Sequence, residues 1–186
     1  MPESLIPRHG GYRNLKSFRM SEIVYDATVA SCRRFVDKRS RTHDQMVQAA
    51  RSGRQNIAEG SQASGTSRKT ELKLVGIARA SLEELLLDFE DFLRQHDLKL
   101  WLKEHPRARE VRALAHREDR TYQTYRTYVE EAEPETAANA VICLIHQTSF
   151  LLDRQLRQLE ARFLEEGGFT ERLYRLRSEQ RRDQRP

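Results

Sequence analysis

The sequence predicts an all-α protein: an antiparallel, up-and-down four-helix bundle, with a helical insertion before the fourth long helix and a short helical suffix. Three observations predict it. No proline occurs between Pro7 and Pro106, an interval without a helix breaker. Apolar residues recur at three- and four-residue steps, and no segment alternates in the manner of a strand. No Asn-Gly or Asp-Gly hairpin signal appears.

The first helix is expected from Leu15 to Asp37, with Phe18, Tyr25, Val29, Cys32 and Val36 on one face. Thr42-His43-Asp44-Gln45 reads as a capping box that starts a second helix near His43. So short a connection makes the two helices antiparallel neighbours. The second helix is expected to run to Glu59 and to carry a small-residue face of Met46, Ala50, Gly53 and Ile57. Gly60 and Ser61 to Ser67 then read as a turn. Ser67 caps a third helix, Arg68 to Gln95. Its stripe of Leu74, Ala78, Ser81, Leu85, Phe89 and Phe92 is widened by Leu72, Val75, Leu82 and Leu86. That width suggests contacts beyond one partner helix, such as a subunit interface.

The insertion spans Asp97 to Glu135. Pro106 suits the first turn of a short helix to His116, a second covers Arg120 to Glu131, and Pro134 ends it. The last long helix runs from Thr136 to Glu165, with Ala137, Val141, Leu144, Thr148, Leu151, Gln155 and Leu159 at heptad-like spacing. Gly167-Gly168 stops it. A tail helix from Phe169 to Arg177 and an Arg-rich, disordered end close the chain. The bundle thus occupies residues 1–165, including the insertion, and the suffix and basic tail residues 166–186.

A chain of 186 residues suits one domain with a sizeable core. Charged residues make up 33% and hydrophobic residues 38%, the balance of helices that each show one face to water. Cys32 and Cys143 both lie in apolar stripes and read as buried free thiols. Met1 to Tyr12 has no apolar core that would serve as a signal peptide. No run is apolar enough to span a bilayer. The reading is a cytoplasmic protein with no membrane partner.

Little in the chain looks like catalytic chemistry. A di-iron bundle needs Glu-x-x-His on two helices, and no histidine here has a glutamate three residues before it. Cys143 and His146 share a helix face, but two ligands do not make a metal site, and no cofactor is expected. Arg109 and His116 have a spacing compatible with a helical ribonuclease, in which such a pair would stabilise a phosphorane and shuttle a proton. The alternative for them is a solvated helix face. Glu83/Glu84 and Asp88 to Asp91 read as solvating and salt-bridging, because adjacent helical residues diverge. Tyr122, Tyr125 and Tyr128 read as packing on the bundle, with stacking on bases as the alternative.

The charge distribution says more. Residues 1–54 hold 11 Lys/Arg against 5 Asp/Glu, and residues 55–135 hold 13 against 16. Arg33, Arg34, Lys38, Arg39 and Arg41 cluster at the tip joining the first two helices, and Arg51 and Arg54 follow. A helix dipole accounts for one or two such cations at a C-terminus, not five. Nucleic acid is the partner class this cluster favours. An acidic protein surface and plain solubility are the alternatives. The tail from Arg172 to Arg185 is a second basic stretch.

Tyr12-Arg13-Asn14-Leu15-Lys16, Gln55-Asn56-Ile57-Ala58-Glu59-Gly60 and Ala80-Ser81-Leu82-Glu83-Glu84-Leu85 resemble a bacterial family known as four-helix bundle proteins. Its first recognised members were encoded in intervening sequences of ribosomal RNA genes. Thr136 to Leu159 followed by Glu166-Gly167-Gly168-Phe169-Thr170-Glu171-Arg172-Leu173-Tyr174 resembles the subgroup with a C-terminal suffix. The resemblance implies a ring-like homopentamer with no enzymatic activity. One relative is the accessory variability protein of diversity-generating retroelements, which binds nucleic acid and its reverse transcriptase. This chain departs from that relative in carrying the insertion and the suffix. Asn56, Glu59 and Ser81 lie on the matching stretches near the inner face, and are expected to form a buried polar network that sets register or a subunit contact. The resulting expectation is a non-enzymatic oligomer that binds nucleic acid, an accessory to a machine such as a reverse transcriptase. Its alternatives are a structural or protein-binding oligomer and a ribonuclease.

Overall fold

The computed structural model describes residues 5–183, which hold helices and no strand. The helices are α1 (Lys16–Phe35), α2 (Arg41–Ala63), α3 (Arg68–Gln95), α4 (Pro106–Leu114), α5 (Arg126–Val129), α6 (Pro134–Glu166) and α7 (Phe169–Asp183). Short 3-10 turns cover Tyr12–Asn14 and Tyr122–Tyr125.

Local chemistry sets the ends, and it corrects several expectations. Ser40, not Thr42, caps α2, its hydroxyl accepting from the Thr42 amide at 3.1 Å. Helix α2 continues through Gly60 to Ala63. Gly60 lies against α3, with the Glu71 carbonyl and Leu74 Cβ each 3.4 Å from where its Cβ would be. It is a close-approach residue inside a helix rather than a turn. Ser67 caps α3 as expected, accepting from the Thr70 amide at 3.1 Å. Pro134 does not end a helix but opens α6 in its first turn, where the missing N–H costs nothing. The expected helix from Arg120 to Glu131 is instead a 3-10 turn followed by the single turn of α5. Gly167, at φ +67°, stops α6. Helix α7 extends to Asp183, past the point where disorder was expected; residues 184–186 of that tail lie outside the described residues.

Helix α1 packs on α2 and α6, α2 on α3, and α3 on α6. Several contacts set the register. Ser17 Oγ near the start of α1 donates to Gln155 Oε1 late in α6 at 2.6 Å. Arg34, at the end of α1, donates to the Val129 and Ala132 carbonyls just before α6 begins. Arg68, first in α3, pairs with Glu166 at the end of α6. Between these ends, Arg79 bridges Glu83 at 2.7 Å and Asp153 at 3.2 Å.

The buried face of α1 is broader than one stripe, because it serves two neighbours. Met20, Ile23, Val24 and Ala27 join Phe18 and Cys32 in the core, while Tyr25, Val29 and Val36 are half-buried. Buried hydroxyls return to their own helix: Thr28 donates to the Val24 carbonyl at 2.8 Å and Ser21 to that of Phe18 at 2.7 Å. Both cysteines are buried and free. Much of the wide stripe on α3 is buried inside the chain. Val75, Ala78, Leu82, Leu85, Leu86, Phe89 and Leu93 are buried, and only Ile77 and Leu87 among its large apolar side chains are exposed. Leu72, Leu74 and Phe92 of the same stripe are half-buried.

The insertion lies on α6. Tyr125 and Val129 are fully buried, and Val111 and Ala108 of α4 join the same core. Tyr122 donates to Glu130 at 2.9 Å. The tyrosines therefore pack, as the favoured reading held. No helix among the described residues is long and apolar enough to cross a membrane.

Candidate functional site

The tip between α1 and α2 divides the basic cluster into two kinds of residue. Arg34 is committed to structure. Its guanidinium donates to Val129 at 2.6 Å and Ala132 at 2.9 Å, and lies 4.3 Å from the Phe35 ring centroid. Arg54 is half-buried and sits 4.6 Å over the Tyr25 ring. Arg33, Lys38, Arg39, Arg41 and Arg51 are exposed, and none has a carboxylate within ion-pair distance among the described residues.

Position on the helices separates them further. Arg33 and Arg34 occupy the last turn of α1, where cations complement the helix dipole. Lys38 and Arg39 lie in the connection between the end of α1 and the Ser40 cap, and Arg41 stands in the first turn of α2, where the dipole opposes a cation. Local electrostatics does not account for Arg41.

The expected polar network is only partly assembled. Asn56 Nδ2 donates to the Ser52 carbonyl at 2.9 Å and lies 3.0 Å from Ser52 Oγ. Ser81 Oγ donates to Ser52 Oγ at 3.1 Å across the α2–α3 contact. Ser52 is the link that motif reading missed. Glu59 is exposed and stands outside the network.

The ribonuclease pair is not brought together as a site. Arg109 is exposed and pairs with Glu104. His116 is exposed beyond the end of α4 and lines a groove that Arg109 does not reach. Cys143 and His146 line the same groove, but no group of three metal-ligating side chains occurs among the described residues. In the basic tail, Arg172 is buried and donates to the Leu5 carbonyl at 3.3 Å. Arg185 lies outside the described residues.

That groove is the feature the sequence did not disclose. It has a volume of about 1290 Å³ and runs over the outer face of α6, between α4, the segment before it and the start of α1. Lys16, Arg19, Lys103, Arg112, Arg120 and Arg154 line it, against Glu90 and Glu118 alone as acids. Met20, Ile142, Leu151, Phe150 and Trp101 supply apolar surface. Asn139 pins one wall. It accepts from the Trp101 amide at 2.7 Å and donates to the Lys99 and Glu135 carbonyls, both at 2.8 Å. Trp101 also donates through Nε1 to Glu135 at 3.3 Å and stacks on His105 at 4.7 Å. One sequence signal pointed here. Ala137 to Ile145 is apolar around its helix except at Asn139, so something besides α1 and α3 had to cover α6.

Comparison with known proteins brings no matching family model, no matching curated protein and no matching solved structure.

Proposed function

We propose that the chain is a non-enzymatic, antiparallel up-and-down four-helix bundle of α1, α2, α3 and α6 that binds nucleic acid through the α1–α2 tip. The observation that carries this reading is the placement of Lys38, Arg39 and Arg41. They are exposed, Lys38 and Arg39 in the α1–α2 connection and Arg41 in the dipole-disfavoured first turn of α2, and lack a carboxylate partner among the described residues. Cations held there without local compensation suit an external polyanion. The neighbouring Arg33 adds a fourth charge; Arg34 and Arg54 are withdrawn by their internal contacts.

The family resemblance extends the proposal to a homopentamer in the cytoplasm, and to an accessory role beside a larger machine such as a reverse transcriptase. A ring of copies would repeat the tip and multiply its charge. The geometry gives the ribonuclease reading no support, since Arg109 is engaged by Glu104.

The experiment is a filter-binding or anisotropy titration of the full chain with single-stranded RNA and double-stranded DNA over a range of salt. Saturable, salt-weakened binding supports the proposal. No binding at low salt, together with a defined oligomer by light scattering, turns the reading to a structural or protein-binding assembly.

A further inference from the structure

We infer that the groove between α4 and α6 is a binding site for a nucleoside polyphosphate, separate from the tip and independent of what the tip binds. The first argument is charge. Arg68, Arg79, Arg94, Arg109, Arg117 and Arg126 each pair with a carboxylate. None of the six Lys and Arg side chains lining the groove does so among the described residues. Those that are held are held by neutral groups: Arg112 by the Lys103 carbonyl, Arg19 by the Arg13 carbonyl at 2.9 Å, and Arg120 by the Arg117 carbonyl at 2.9 Å and Met20 Sδ at 3.2 Å. Gathering like charges around a concavity is unfavourable, and a multiply charged anion relieves it.

The second argument is the ring surface. Phe150 is 58% exposed on the groove floor, with the Arg154 guanidinium 6.0 Å from its centroid. An exposed phenyl ring beside an arginine is a platform for a planar base.

Size and charge layout select among anions. The volume exceeds the roughly 300–1,000 Å³ usual for small-molecule sites, so a single phosphate would leave most of the groove unfilled. An acyl chain fits poorly, because the cations come from α1, α4, α6 and the loops between them, and would lie along a hydrocarbon. A ring joined to several phosphates satisfies both parts of the lining.

Trp101 is the sole tryptophan and lines the groove, so its emission reports occupancy. The test titrates the full chain with ATP, pyrophosphate, adenosine and oleate, by Trp101 fluorescence and calorimetry. ATP is expected to bind saturably and at least about tenfold more tightly than pyrophosphate or adenosine, since only ATP makes both the charge contacts and the ring contacts. Phe150→Ala should weaken ATP and leave pyrophosphate unchanged. Lys16→Ala and Arg154→Ala should each weaken both, while an Arg39→Ala/Arg41→Ala chain should bind ATP as the parent does. Circular dichroism and thermal melting check that each variant folds, and the comparison of ligands on the parent chain decides the matter without variants. The inference is overturned by an absence of saturable ATP binding, by pyrophosphate binding as tightly as ATP, or by oleate binding in place of ATP. It is equally overturned if the tip variant loses ATP, or if Phe150→Ala alters the oligomeric state and not nucleotide affinity.

Discussion

Gly53 of α2 faces Leu82 of α3 so closely that a Cβ on the glycine would stand 2.9 Å from Leu82 Cδ2 and 3.1 Å from its Cγ. Leu82 is fully buried, so it has little room to retreat. Gly53→Leu should therefore force the two helices apart, at a cost of about 1–3 kcal/mol or more. Gly76 provides the contrast. It lies inside α3 with nothing within 4 Å of a Cβ, and Gly76→Ala should stabilise by roughly 0.5–1 kcal/mol through helix propensity alone. Urea unfolding of both variants at one protein concentration checks the pair. Equal midpoints would mean that the α2–α3 approach is not close in solution.

Asn139 anchors the Lys99–Trp101 segment to α6 through two hydrogen bonds from one buried amide, and makes a third to the Glu135 carbonyl within α6. Asn139→Ala should cost about 1–3 kcal/mol, because the Trp101 amide and two carbonyls lose their partner. The effect should be local as well as global. Trp101 emission should move to longer wavelength as the wall of the groove loosens, before the helices unfold. A variant with unchanged emission and an unchanged unfolding midpoint would remove Asn139 from this role.

How much of this was legible beforehand depended on how local each cause is. Ser67 as a cap, Gly167 as a stop and the small face around Gly53 were readable, because each acts within a turn or through a helical period. The capping-box pattern points to Thr42, whereas Ser40 two residues earlier holds the cap, because only backbone geometry decides which hydroxyl reaches the free amides. Pro134 is compatible with either side of a helix boundary, and the choice was made by burial of α6 from Thr136 onward. Arg34 looked like its neighbours until the Val129 and Ala132 carbonyls, almost a hundred residues away, arrived beside it. The groove was least legible of all: its lining runs from Lys16 to Arg154 and exists only once the insertion folds over α6.

Asp88 predicts a pH dependence. Its Oδ2 is buried without a hydrogen-bond partner among the described residues. Burial raises its pKa above the ordinary carboxylate value, and the negative charges of Glu84 and Asp91 raise it further. A carboxyl whose pKa is raised on folding contributes stability below its unfolded pKa and loses it as pH rises through the folded value. The ionised form at neutral pH therefore opposes folding. Asp88→Asn should raise the urea midpoint at pH 7, and the gain should vanish when pH falls below the usual carboxylate range. A variant less stable than the parent at pH 7 would show that the carboxylate is satisfied by something outside these contacts. The same burial, with the Asp88 charge beside it, pushes the Cys32 thiol up to about 12, so Cys32 should resist thiol reagents at pH 8 until the chain unfolds.

The tip makes the sharpest functional prediction, and the structure changes which residues test it. Arg34 must be left alone, since its guanidinium caps the Val129 and Ala132 carbonyls and its removal would disturb α5. The informative variant replaces Arg33, Lys38, Arg39 and Arg41 with alanine, all exposed and outside the core. If three or four phosphates are engaged per subunit, the log–log slope of affinity against salt should be roughly −2.7 to −3.6 on double-stranded DNA, and shallower on single strands. Sequence should matter little, because phosphate contacts position a strand without reading its bases. The fourfold variant should flatten the slope toward zero while its helical spectrum and melting temperature stay close to those of the parent. Arg51→Ala, which removes a single charge further along α2, should reduce the slope by less than one. A parent chain that binds neither RNA nor DNA at low salt removes the tip as a nucleic-acid surface. A fourfold variant that binds as well as the parent moves the contact elsewhere, and the basic groove over α6 becomes the next surface to test, by Arg154→Ala and Lys16→Ala on the same strands.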